Sequence, residues 1–341
     1  MTRARLIVLV AGSLLLGACS YQTYQSTFGG AAVENRQFNT LFAIFLGVCG
    51  LMYALVIAFL VAAILRRRRA GEANVTESGR HHQSDPLMRT GLIAWSALIG
   101  VGLFVLAIAS FLADRSMAQA ARSEKLSIVV TANQWWWDVE YQSADPSKTL
   151  RTANELHLPV GVPVRIQLKS SDVIHSFWVP NLAGKQDLIP GRTSDVTITP
   201  EKIGLYRGQC AEFCGVQHAR MALNVQVESY ADFVNWWERQ LVPPKPPANA
   251  LAAAGYAYVT SGPCSVCHTI SGTPAQGRVG PDLTHLASRR SLAAGTLPMG
   301  KGNLYGWVAD PQSIKPGNRM PTIGLEPDQL HAVVAYLETL K

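Results

Sequence analysis

The chain has 341 residues, too long for one ordinary domain and suited to two or three. Hydrophobic residues make up 48% and charged residues only 16%, which leans toward a membrane protein. The formal charge of +7 is a poor argument for nucleic acid, because the densest basic run, Arg66 to Arg69, directly follows a long apolar stretch and reads as a membrane-topology signal.

In chain order, Arg3 and Arg5 precede the apolar run Leu6 to Leu16 and then small residues. This pattern predicts a secretory signal peptide over residues 1–18, too short to span a membrane. Its Leu16-Gly-Ala-Cys19 ending is similar to a bacterial lipobox, so Cys19 would become the lipidated first residue of an exported segment, 19–37. The alternative is an ordinary signal with Cys19 unmodified. Phe38 to Leu65 is apolar without a charge and exceeds the ~20 residues that cross a bilayer. Thr90 to Ala113 is a second such run. The segment between them, 66–89, holds six arginines and no lysine, which places it in the cytoplasm and both outer ends of the hairpin outside. Cys49, alone in the first run, is expected to be a small packing residue. His81, His82 and Asp85 read as solvated loop groups.

From Leu126 the pattern changes to short β-rich runs: 126–132, 136–141, 162–168, 193–199 and 222–228. Turn residues separate them, as in a β-sandwich or barrel. Tyr230 to Leu241 predicts an amphipathic helix and closes a domain over 126–241. Residues 242–249 carry four prolines and predict a semi-rigid linker. The last segment, 250–341, is helical in character, with helices expected over 253–261 and 329–340.

Two motifs carry chemistry. Residues 210–221, Cys-Ala-Glu-Phe-Cys-Gly-Val-Gln-His-Ala-Arg-Met, gather two thiols, an imidazole and a thioether, and His175 stands upstream. Sulfur with imidazole selects copper, and two cysteines four apart can bridge two coppers. A disulfide or a structural zinc is the plainer reading, but zinc needs neither the Met nor this tight array. Cys264-Ser-Val-Cys267-His268 is the signature of covalent c-type haem, the imidazole sitting on iron. Such a haem usually takes Met as its other axial ligand; Met299 and Met320 are the candidates, and His285 reads as a solvated loop residue. No disulfide framework is needed.

Gln134-Trp-Trp-Trp, Asn154-Glu-Leu-His-Leu-Pro, Asp172-Val-Ile-His-Ser-Phe-Trp-Val-Pro, Ile189-Pro-Gly-Arg and the 210–221 run resemble the copper domain of cytochrome c oxidase subunit II. The resemblance implies a cupredoxin fold and a binuclear CuA centre held by His175, Cys210, Cys214, His218 and Met221, with the backbone carbonyl of Glu212. It also implies a magnesium ion facing the Glu212 side chain at the border with subunit I. Lys315-Pro-Gly-Asn-Arg-Met320-Pro is similar to the Met loop of class I cytochromes c, which favours Met320 over Met299. Trp135 is implied to be the surface aromatic through which electrons reach copper. A strand across the triplet would place Trp135 and Trp137 on one face, where packing is the other reading. Trp236 and Trp237 read as packing or membrane-interface residues.

The expected architecture is therefore a multidomain membrane protein: a two-helix transmembrane hairpin, a cupredoxin domain and an all-α cytochrome c domain, as in caa-type oxidases. The implied activity is that of a proton-translocating cytochrome c oxidase, with this chain receiving electrons and the oxygen-reducing site elsewhere. Implied partners are subunit I, subunit III, the membrane, and cytochrome c or another donor, on the outer face of a bacterial inner membrane. Leu92 stands where many such chains carry a glutamate at a proton entrance, so that path is in doubt here. The rival readings are a quinol oxidase subunit II, which usually lacks the copper ligands, nitrous oxide reductase, and an exported copper-binding or delivery protein, which leaves the haem motif unexplained.

Overall fold

The structure, a computed structural model, describes residues 24–70, 86–120 and 125–341. The signal segment 1–18, Cys19, His81, His82, Asp85 and most of the 66–89 segment lie outside the described residues. Two compact units make up the chain, residues 36–119 and the remainder.

The first unit consists of two long helices, α1 (Val33–Ala70) and α2 (Pro86–Ala120). Both are longer than the apolar runs that announce them, because helical residues continue into the flanking polar sequence. Their apolar spans, Val33–Arg66 and Arg89–Ala118, are long enough to cross a membrane. Large side chains such as Phe59, Phe104 and Phe111 stay exposed around them, as expected of helices whose solvent is lipid. Cys49 is also exposed, so no packing role within the chain holds it.

In the second unit, ten strands form two mixed five-stranded sheets. They are β1 (Leu126–Asn133), β2 (Trp136–Gln142), β3 (Leu150–Ala153), β4 (Glu155–Pro159), β5 (Val164–Ser170), β6 (His175–Trp178), β7 (Gln186–Leu188), β8 (Ser194–Ile198), β9 (Gly204–Cys210) and β10 (Ala222–Glu228). The sheet orders are β3-β2-β1-β5-β8 and β4-β10-β9-β6-β7. Period-two alternation builds the interior: Ile128, Val130 and Ala132 of β1, Trp137, Val139 and Tyr141 of β2, and Val225 and Val227 of β10 point into one shared core. Residues 24–35 lace onto this sandwich, with Val33 N donating to Thr199 O and Asn35 Nδ2 donating to Pro180 O. Helix α3 (Tyr230–Gln240) is capped by Ser229, whose hydroxyl accepts from Asp232 N. It buries Phe233 and Trp236, and Trp236 stacks on His157 at 4.0 Å, a packing role.

Five strands, β3, β4, β6, β7 and β9, go beyond the sequence expectation. They are short, or interrupted by glycine and charge as in Gly-Leu-Tyr-Arg-Gly-Gln-Cys, so alternation is weak within each. The Trp triplet also differs. Asn133 pairs with Trp136, so Gln134 and Trp135 form a two-residue turn and Trp135 is not in a strand.

The C-terminal domain comprises α4 (Ala250–Ser261), α5 (Cys264–Cys267), the two-residue strands β11 (Ser291–Leu292) and β12 (Leu297–Pro298), α6 (Lys301–Ala309), α7 (Pro311–Ile314) and α8 (Pro327–Leu337). It is therefore helical but not purely so. Asn249 caps α4 directly after the proline-rich segment, accepting from Ala252 N at 2.9 Å. α4 crosses α8 at Gly255, where a Cβ would stand 1.9 Å from the Ala332 carbonyl oxygen. His285, expected in solvent, is buried, and its Nε2 lies 3.1 Å from Gln240 O.

The proline-rich segment does not leave the helical domain free of the sandwich. The β11–β12 hairpin packs on β10: Ala222 N donates to Ala294 O at 2.9 Å and Asn224 Nδ2 to Ser291 Oγ at 2.8 Å. Arg289 approaches Glu155 at 3.7 Å.

Leu158→Ala, at a fully buried position, is expected to destabilise the sandwich by about 2–5 kcal/mol, read as a lower calorimetric transition of the purified chain. Gly255→Ala forces the α4–α8 crossing apart and is expected to abolish covalent haem incorporation, read by haem staining of the purified chain.

Candidate metal centre and haem cavity

The strand pairing assembles the metal centre. β9 ends at Cys210 and β10 begins at Ala222, so the antiparallel pair clamps both ends of the 211–221 loop. Cys210 N donates to Met221 O at 2.9 Å and continues that ladder. β6 pairs with β9 on the other side, Phe177 opposite Cys210, which brings His175 beside the loop. Gly215, at φ +116°, supplies the bend; a Cβ there would come within 3.0 Å of the Trp135 ring.

The donors converge. Cys210 Sγ lies 3.7 Å from Cys214 Sγ, 3.8 Å from His175 Nδ1 and 3.1 Å from Glu212 O. Cys214 Sγ lies 3.6 Å from His218 Nδ1 and 4.0 Å from Met221 Sδ. The ligand atoms of His175, Cys210 and Cys214 all fall within 4.8 Å of one another. Two sulfurs with one imidazole each, plus a thioether and a carbonyl, fit a pair of soft metal ions sharing thiolates.

The surroundings fix this set. Asp172 Oδ1 takes the far nitrogen of His175, Nε2, at 2.9 Å, leaving Nδ1 to face sulfur. Burial opposes ionisation of Asp172. Hydrogen bonds from His175 and from the backbone N–H groups of Gln134 and Val173 outweigh it and hold the carboxyl below its usual range. Gln134 Nε2 and Trp135 Nε1 both donate to Cys214 O, at 2.8 and 3.0 Å. The hydrogen bond between the two thiols pushes the Cys210 pKa down and the Cys214 pKa up.

The helical domain holds a cavity of about 220 Å³, lined by Cys264, Cys267, His268, Met320, Trp307 and Leu283 among others. Met299 is not in its wall. His268 Nδ1 lies 2.7 Å from Pro281 O, which orients the ring and frees Nε2. Burial keeps the His268 pKa low, favouring the neutral imidazole that binds iron. Gly280 is required beside it, since a Cβ would sit 2.7 Å from His268 Cε1. Met320 is held by its loop: its N–H donates to Asn318 Oδ1 at 2.8 Å and its carbonyl accepts from Gln312 Nε2 at 2.7 Å. Arg289 is buried in the cavity wall, its guanidinium donating to Asp282 O and facing Glu155. Two thiols, an imidazole and a thioether around an apolar space fit a haem, with this buried cation in the wall.

Trp135 is only 7% exposed. It lines the same cavity, so the aromatic expected at the surface lies instead beneath the helical domain. Sequence reading also missed Lys315, which is 2% exposed. Its Nζ donates to Trp135 O, Arg220 O and Ala293 O at 2.8, 2.8 and 2.9 Å. Burial, with the Arg220 guanidinium nearby, pushes its pKa down to about 7. Three carbonyls match the three N–H donors of an ammonium and favour the charged form. No sequence signal marks this lysine, which stands in a Pro/Gly loop where lysines are normally solvated.

Residues 142–228 match the family Cytochrome C oxidase subunit II, periplasmic domain, and residues 252–341 match Cytochrome c. The subunit 2 protein of Alkalihalophilus pseudofirmus is 31% identical over 255 residues, 73% of this chain and 72% of that one. The chain belongs to the cytochrome c oxidase subunit II family. The Bacillus subtilis cytochrome c oxidase subunit 2 is 29% identical across 99% of this chain and 98% of its own length, both domains included. The periplasmic domain of the Bradyrhizobium japonicum subunit II structure shares 30% identity, with a TM-score of 0.32, covering 34% of this chain and 94% of that one. This is thus a cytochrome c oxidase subunit II with a fused cytochrome c domain. It is membrane-anchored, takes copper and haem, and works with other oxidase subunits.

In the metal-free chain, the part of the thiolate absorbance that is lost on replacing Cys210 and Cys214 by alanine is expected to titrate in two well-separated steps, Cys210 ionising in the acid range and Cys214 resisting ionisation at alkaline pH. A single step near the ordinary thiol pKa of ~8.5 would contradict the shared-proton arrangement.

Proposed function

We propose that the chain is the electron-receiving subunit of a caa-type oxidase, in which the fused haem domain serves the copper centre directly. The carrying observation is that one residue belongs to both sites: Trp135 lines the haem cavity, and its Nε1–H donates to the carbonyl of Cys214. In this reading His175, Cys210, Cys214, His218, Met221 and the Glu212 carbonyl hold the paired copper. Cys264 and Cys267 bind haem covalently, and His268 and Met320 take its iron. When bound, the two groups supply one-electron transfer. The protein holds their ligands rigidly and excludes water from them.

The Glu212 side chain is proposed to meet magnesium at the border with subunit I. Phe213, 74% exposed on the copper loop, offers that subunit an apolar contact. Subunit III is the further partner, and cytochrome c or another carrier is the donor to the haem domain. The domain limits proposed are 126–241 for copper and 250–341 for haem, both on the outer face of a bacterial inner membrane. A lipidated Cys19 and a two-span anchor complete the reading.

Cys214→Ser is expected to abolish the paired-copper absorption while leaving haem bands intact. Met320→Ala is expected to shift the haem potential downward without changing copper content. Trp135→Phe should slow haem-to-copper transfer by at least roughly tenfold, the effect of ~1.4 kcal/mol of barrier. Flash photoreduction with optical detection of each centre checks all three. Loss of neither band on replacing the proposed ligands would refute the assignment.

A further inference from the structure

Three successive residues of the Met loop lock onto the copper loop. The Arg220 side chain donates to Ile314 O, and Gln217 Nε2 donates to Pro316 O at 2.7 Å. Between them, the Lys315 side chain runs the opposite way and ends on carbonyls of Trp135, Arg220 and Ala293. Two of these belong to the sandwich and one to the haem domain's own hairpin. Among the described residues no carboxylate pairs with this ammonium. At Gly317 the turn then passes over the indole, where a Cβ would stand 3.7 Å from Trp135 Cη2.

We propose that Lys315 is the positioning residue that seats the haem cavity on Trp135 and, by doing so, closes the copper centre to every electron donor except the fused domain. This rests on the reading of Trp135 and Cys214 given above. An ammonium in a socket of three carbonyls is directional: each N–H has one acceptor, and the acceptors come from both domains. A displaced haem domain takes the ammonium away from two sandwich carbonyls and opens the Trp135 face to solvent. The ion pair Arg319–Asp172, at 3.1 Å, joins the two domains at the edge of the same seam, with Arg319 largely exposed and Asp172 mostly covered. The reductant side of the device follows: a soluble donor gives its electron to the haem domain and not to copper, because the indole it would need is covered.

The test uses the purified oxidase complex with the full chain. Under limiting amine acylation, Lys315 is expected to react at least about twentyfold more slowly than Lys301, whose side chain is 65% exposed, since reaction requires the domains to open. Equal labelling overturns the seat. In Lys315→Met, with haem and copper bands retained, haem-to-copper transfer is expected to fall at least about tenfold. Oxidative footprinting of Trp135 is expected to rise several-fold. Unchanged transfer and footprint in that variant overturn the proposal. Should the variant lose its haem, the labelling ratio in the unaltered chain decides alone. Absence of haem or paired-copper bands in the unaltered chain would instead refute the site reading, with the labelling ratio still reporting on the seat.

Discussion

Two donors from one hairpin turn, Gln134 Nε2 and Trp135 Nε1, converge on the carbonyl of Cys214. This small constraint couples everything else. The turn is fixed by the β1–β2 register, and Cys214 lies in the loop clamped by β9 and β10. A carbonyl held by two donors fixes the peptide plane after Cys214, and with it the backbone position from which that thiol projects. The second thiol, Cys210, belongs to the last residue of a strand and is rigid for a different reason. The metal set is thus held by backbone geometry on one side and by side-chain donors on the other.

The rest of the arrangement spreads outward from that turn. Asp172 accepts from Gln134 N and pairs with His175 Nε2, so the same two-residue turn also orients the distant imidazole. Trp135 O accepts from Lys315. One hairpin tip therefore touches the proposed copper loop, the carboxylate that orients His175 and the haem domain. Few residues separate the two redox sites, and those few are hydrogen-bonded to one another.

The sequence made the ligand chemistry readable because thiols, imidazoles and thioethers are scarce and their spacing is constrained by the metal. It made the membrane helices readable because lipid tolerates no charge over ~20 residues. The strands β4, β6 and β9 are harder to read: β4 and β6 are short, and β9 places glycines at positions 204 and 208, where periodicity is lost. Trp135 was misplaced for a related reason. A triplet of aromatics reads as strand by propensity, yet pairing of Asn133 with Trp136 forces the first of them into the turn. Above all, the interface between the domains had no signature. Lys315, Gln217, Arg220 and His285 are polar residues that composition assigns to solvent. Only the folded arrangement shows that they are bonded to carbonyls across, or near, a domain boundary.

The copper loop is shut off from solvent by its own chain. Cys210 and Cys214 are each 3% exposed, and Met221 is 1% exposed. Ile314, Lys315 and Pro316 are hydrogen-bonded across that loop. Any exchange at the two sulfurs, by a metal ion or by an oxidant, therefore requires either the loop to open or the haem domain to lift.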